Sequence, residues 1–77
     1  MDINEFIEHF AEQFEDTDVS VFKADTKYKD LDEWSSLMAL CIIAMVDEEY
    51  EVTIKGNDIN GSETIEDLFN VVKSRKA

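Results

Sequence analysis

The chain has 77 residues, with 19 Asp and Glu against 7 Lys and Arg and a formal net charge of -12. That length predicts one small domain, residues 1–77, near the lower limit at which a hydrophobic core suffices without disulfides or metal, and the acidity argues against nucleic acid as a partner. A single cysteine, Cys41, leaves no internal disulfide, the opening MDINEFIEHF lacks the basic leader and apolar stretch of a secretory signal, and the longest uncharged run, Trp34 to Val46, is too short for a bilayer, so a cytoplasmic protein with no membrane insertion is expected.

Proline is absent and both glycines, Gly56 and Gly61, fall in one region, so helices are interrupted in few places. Asp2-Ile3-Asn4-Glu5 reads as a capping-box-like start. Ile3, Phe6, Ile7, Phe10 and Phe14 follow at helical spacing, which predicts a first helix from about Ile3 to Phe14. Glu5, Glu8, Glu12 and Glu15 lie largely on its other face, where a solvated surface is expected. The stretch from Asp16 to Glu33 is only partly periodic. Its candidate anchors are Val19, Val21, Phe22, Tyr28 and Leu31, in a long ordered loop of a kind that is generally functional or disordered beyond about 15 residues.

A second helix is expected from Ser36 to Glu49. Leu37, Leu40, Ile43, Ala44 and Val46 are taken as its core face, but Met38, Cys41, Ile42 and Met45 make it apolar on nearly every side, so some of these residues must be exposed. Val52-Thr53-Ile54 looks extended, and Gly56 to Gly61 reads as a turn or a one-turn helix around Ile59. Thr64 and Asp67 then open a last helix along which Ile65, Leu68, Phe69 and Val72 keep helical spacing to about Lys73. Lys73, Arg75 and Lys76 suit its negative carboxyl end. The expected fold class is all-α: a bundle of three principal helices plus one short helix, with a long loop between the first two.

Trp34-Ser35-Ser36-Leu37 sets a serine hydroxyl at the start of the apolar run Leu37 to Val46. A serine there can cap a helix, contributing about 1 kcal/mol. It can also carry a phosphoester, whose charge the free N–H groups and positive end of a helix favour. The segment from Asp30 to about Val72 resembles the acyl carrier proteins, whose modified serine precedes a leucine at the start of the second helix. Leu37, Leu40, Ile43 and Val46 repeat that family's apolar spacing, Asp47-Glu48-Glu49-Tyr50 matches its acidic and aromatic close, and Val52 and Ile54 match the run that follows. The long first loop is also similar.

The resemblance implies an acyl-carrier-like bundle in which Ser36 accepts 4'-phosphopantetheine from coenzyme A through a separate phosphopantetheinyl transferase. The arm's thiol would hold acyl or aminoacyl groups as thioesters, exchanged with acyl-activating ligases, synthases or acyltransferases by a monomeric, non-catalytic carrier. Two departures stand out. Ser35 replaces the family's usual aspartate and is the less favoured attachment site, because Leu37 directly follows Ser36 and the apolar register counts from it. Met38 and Cys41 replace acidic residues common in fatty-acid carriers, whereas Asp47 and Glu48 match acidic partner-contact positions.

With Leu37 seating the helix start, Met38, Cys41 and Met45 would form an adaptable apolar docking patch wherever they are exposed, which suits the partners of a specialised pathway. The alternative is an acidic interaction module that keeps the carrier fold, binds a protein through the second helix and has no prosthetic group. Cys41, among aliphatic residues with no cationic neighbour, is expected to be inert. His9 is expected at the surface, no nucleophile and base pair off, and no enzymatic activity is expected. Asn57 to Gly61 looks like part of an EF-hand loop, but the alignment puts Gly56 at the first ligand position, so no calcium site is expected.

Overall fold

Four helices build the fold described by the computed structural model, which covers residues 1–76: α1 (Ile3–Glu12), α2 (Ser36–Tyr50), α3 (Gly56–Gly61) and α4 (Ile65–Lys76). Two short 3-10 turns, Val19–Val21 and Tyr28–Asp30, lie in the long first connection, and no strand forms among the described residues. The chain is thus all-helical, with three principal helices and a short one.

Each helix end has a local cause. Asp2 caps α1 by accepting from the Asn4 N–H at 3.0 Å, and the helix ends at Glu12, after which Phe14 still turns inward and is buried. At the end of α2, Glu51 adopts a left-handed conformation (φ 56°, ψ 36°), and its N–H donates to the Asp47 carbonyl at 3.0 Å. That geometry is usually left to glycine or asparagine. The capping box expected at α4 forms in full: the Asp67 N–H donates to Thr64 Oγ1 at 3.1 Å and the Thr64 N–H to Asp67 Oδ2 at 3.2 Å. The helix runs to Lys76, a turn beyond its expected end.

A cluster of aromatic rings runs through the interior. Phe6, Phe10 and Phe14 from the α1 region meet Phe22 and Tyr28 from the first connection, Tyr50 from the end of α2 and Phe69 from α4. Centroid separations of 5.5 Å for Phe6–Phe69, 5.7 Å for Phe6–Tyr50, 5.5 Å for Phe10–Tyr28 and 5.0 Å for Phe14–Phe22 join the α1 region to α4, the end of α2 and the first connection. Such ring pairs each contribute about 0.5–1.5 kcal/mol beyond the area they bury.

The first connection is ordered by hydrogen bonds that its sequence only partly reveals. Glu33 accepts from the Glu15 N–H (2.9 Å), the Asp16 N–H (3.1 Å) and Thr17 Oγ1 (2.7 Å), closing the loop on itself. The carbonyls of Ala24 and Thr26 accept from the N–H groups of Glu66 (2.9 Å) and Ile65 (3.2 Å). Those are first-turn donors of α4 that have no partner within the helix. Phe22 and Tyr28 are the buried anchors. Val19 and Val21 are exposed, contrary to expectation, because Phe22 takes the inward place against Phe10 and Phe14.

The core face of α2 also differs from the expected one. Met38, Ile42, Met45, Val46 and Tyr50 are buried, whereas Leu37 and Leu40 are 68% and 62% exposed and Ala44 is exposed. A helix apolar all round gives no direction to its own burial. Tyr50 does: its ring packs on Phe6, and residues 38, 42 and 46 lie on the same face one turn apart.

Candidate functional site

Trp34 fixes the approach to α2. Its ring lies edge-on to Tyr28 at 5.0 Å and stacks near Phe14 at 6.3 Å, while the Trp34 backbone N–H donates to the Leu31 carbonyl at 3.0 Å. The chain leaves Trp34 extended, with Ser35 at φ -158° and ψ 174°, and Ser35 is the N-cap. Its Oγ accepts from the Met38 N–H at 3.2 Å and its carbonyl from the Ala39 N–H at 3.0 Å. The capping role considered for Ser36 therefore belongs to Ser35. Ser36 is the first helical residue, exposed, and its hydroxyl has no hydrogen bond among the described residues. First-turn N–H groups beside it carry the positive end of the helix dipole.

Ser36 borders an open groove of about 350 Å³ between α2 and α3, lined by Ser36, Ala39, Leu40, Ile43, Gly56, Ile59 and Asn60. Around the outer side of α2, Leu37, Leu40, half-buried Cys41 and Ala44 fall at successive helical positions and form an exposed apolar stripe. The stripe leads to exposed Asp47 and Glu48. Those carboxylates stand eleven and twelve residues from Ser36, about 16–18 Å at the helical rise. Met38 and Met45 do not belong to this patch: both face the core, at 8% and 4% exposure, because Tyr50 sets the rotation of the helix. Leu40 and Ala44 replace them, which periodicity alone could not reveal.

His9 lies between α1 and the end of α2 rather than on open surface. Its Nδ1 is 3.2 Å from Glu12, its Nε2 is 3.6 Å from Glu5 and 3.8 Å from Glu49, and its ring meets Tyr50 edge-on. Burial pushes the Tyr50 phenol up to about 12, helped by the negative charges of Glu5, Glu49 and Asp2, and its hydroxyl has no hydrogen-bond partner among the described residues. Tyr28 is likewise raised to about 12 by burial, but its hydroxyl is used, 2.6 Å from the Ile59 carbonyl and 3.0 Å from that of Ser62.

A larger depression of about 530 Å³ is lined by Asp16, Thr17, Asp18, Val21, Leu31, Asp32 and Glu33. Its Asp18 and Glu33 carboxylates already accept from backbone N–H groups, so they serve the loop's own folding. Asp58, in the stretch compared with an EF-hand, lies within α3; the Arg75 guanidinium and the Lys55 N–H hold its carboxyl below the usual carboxylate range. No group of three His, Cys, Asp or Glu side chains is placed to hold a metal ion among the described residues. No helix among them is long and apolar enough to cross a membrane. No protein-family model, curated protein or solved structure matches the chain.

Proposed function

We propose that this chain is an acyl carrier protein with an acyl-carrier-like bundle, in which Ser36 bears 4'-phosphopantetheine and the arm's thiol carries acyl or aminoacyl groups between partner enzymes. The observation that carries the reading is the division of labour between two adjacent serines. Ser35 caps α2, so the Ser36 hydroxyl stands free and exposed at the positive end of the helix, beside an apolar groove. Serine in place of the family's aspartate preserves the cap, since both side chains accept N–H bonds there. What is lost is one negative charge, which would have opposed a phosphodiester on the next residue. The helix end favours such a phosphodiester by about 0.3–1 kcal/mol.

Leu37, Leu40, Cys41 and Ala44 give partners an apolar contact next to the arm, and Asp47 and Glu48 steer basic partners to the far end of the helix. The partners are a phosphopantetheinyl transferase and the ligases, synthases or acyltransferases of a specialised pathway; efficient turnover by general fatty-acid synthase enzymes would count against that specialisation. The protein itself moves cargo and catalyses nothing.

Intact-protein mass spectrometry after incubation with coenzyme A, magnesium and a broad-specificity transferase tests the proposal. The wild type and Ser35→Ala are expected to gain one arm, and Ser36→Ala none. If a control carrier is modified under the same conditions and this chain is not, the reading fails. The exposed Leu37 and Leu40 then favour the second reading, an acidic interaction module without a prosthetic group.

A further inference from the structure

Residues 1–22 hold many carboxylates but no Lys or Arg; Lys23 is the first of either. The same stretch leaves apolar surface uncovered. In α1, Ile3, Ile7 and Ala11 repeat at four-residue spacing beside the buried Phe6 and Phe10, and they pack against the core yet stay only half-buried. The turn Val19–Val21 lies across from them. Asp18 caps that turn by accepting from the Ser20 N–H at 2.8 Å, and the Phe22 N–H donates to the Val19 carbonyl at 3.1 Å. Phe22 is thereby turned inward and Val19 held outward, 71% exposed.

Two depressions lie between α1 and this turn. One, of about 500 Å³, is lined by Glu8, Ala11, Glu12, Phe14, Thr17 and Val19. The other, of about 480 Å³, reaches Ile3, Ile7, Phe22 and Ala24, with Lys23 beside them. Both include Glu8, Ala11 and Val19, so they form one trough along α1, about 15 Å long at the helical rise. Its floor is apolar and its two ends differ in charge, with Lys23 toward Ile3 and Glu8 and Glu12 toward Phe14. Among the described residues Glu8 has no cation at ion-pair distance, and Glu12 has only His9, at 3.2 Å. The trough shares no lining residue with the groove beside Ser36.

We infer that this trough seats a basic amphipathic helix of a partner protein, its apolar face against Ile3, Ile7, Ala11 and Val19 and its Lys or Arg side chains against Glu8 and Glu12. Charge selects the partner. A second copy of this chain would set carboxylates against carboxylates, and an anionic membrane or a nucleic acid would be repelled in the same way. The fold selects the partner's shape: no strand among the described residues offers an edge to which an extended peptide could add, whereas a trough of this length takes about three turns of helix, anchored at i, i+4 and i+7. The inference does not rest on the carrier reading, and a partner so seated needs no residue of the groove beside Ser36.

Titration of the isotope-labelled, unmodified chain with a helical peptide of leucine and lysine, about 14 residues long and amphipathic, tests the inference by two-dimensional NMR. Amide shifts are expected to concentrate at Ile7, Ala11, Val19 and Lys23, and to be absent with the matching peptide of leucine and glutamate. Val19→Ser removes an apolar contact at an exposed site and should weaken binding about tenfold. Glu8→Lys should weaken it about fivefold at low salt and less at high salt. Glu51→Lys, which changes the net charge equally but lies outside the trough, should stay within about twofold of wild type. Shifts confined to α2, no saturable binding, or equal losses in Glu8→Lys and Glu51→Lys would overturn the inference. So would trough shifts that follow protein concentration alone, which would make a second copy the occupant, or that appear with phosphatidylglycerol vesicles, which would make it a membrane.

Discussion

Replacing each serine in turn by alanine measures which of them holds the start of α2. Ser35→Ala removes the oxygen that accepts from the Met38 N–H at 3.2 Å and leaves that donor without a protein partner. Losing such a cap costs about 1 kcal/mol within a range of roughly 0.5–2. For a domain of this size each kcal/mol moves the melting temperature by about 4–8 °C. Ser36 is exposed and its hydroxyl is unbonded among the described residues, so Ser36→Ala should stay within about 0.5 kcal/mol of wild type. Ser35→Asp should hold or raise stability, because aspartate caps equally well and its charge is favoured at a helix amino terminus. Thermal and urea unfolding followed by circular dichroism give all three values on unmodified protein. A costly Ser36→Ala beside a silent Ser35→Ala would move the cap by one residue and remove the free hydroxyl on which the proposed function stands.

The rotation of α2 is tested by a pair of substitutions: Ile42→Ala, at a fully buried site, should cost about 2–5 kcal/mol in urea unfolding, whereas Leu40→Ala should cost no more than about 0.5. Equal losses would refute the assigned core face. Tyr28→Phe leaves the buried carbonyls of Ile59 and Ser62 without their donor and should cost about 1–3 kcal/mol, while Tyr50→Phe, which removes a hydroxyl with no partner among the described residues, should be neutral or slightly stabilising. Glu33 supplies a pH dependence. The Thr17 hydroxyl first, then the N–H groups of Glu15, Asp16 and Thr17, hold its carboxyl below the ordinary 4.5. Its contribution is therefore complete above that pH and is lost as the pH falls through the lowered value. Glu33→Gln should flatten the acid limb of a melting-temperature profile, and an unchanged limb would exclude Glu33 as a cause.

Much of the site was legible because its determinants are local. The tetrapeptide from Trp34 to Leu37 marks a helix start with a hydroxyl at it, and the uncharged run that follows marks a surface unlike the rest of this acidic chain. Assigning the cap to one of two neighbouring serines was not legible, since either could have accepted from a first-turn N–H. Trp34 decided it by packing on Tyr28 and Phe14, which sets where extended chain gives way to helix. Arg75 was legible as a cation suited to a helix carboxyl end, but its partner lies 17 residues earlier, beyond the reach of any periodic pattern.

By itself, then, the sequence determined the helix count, the caps at Asp2 and Thr64 and the short helix between two glycines, because capping and amphipathic spacing act within a few residues. Tertiary structure alone decided which face of α2 is buried and how the first connection is held. An evenly apolar helix can turn any side inward until a large ring such as Tyr50 finds its seat on Phe6. The connection, for its part, is ordered by carbonyls of Ala24 and Thr26 meeting the free N–H groups of Glu66 and Ile65. Every backbone carries such groups, so no side-chain pattern announces their pairing.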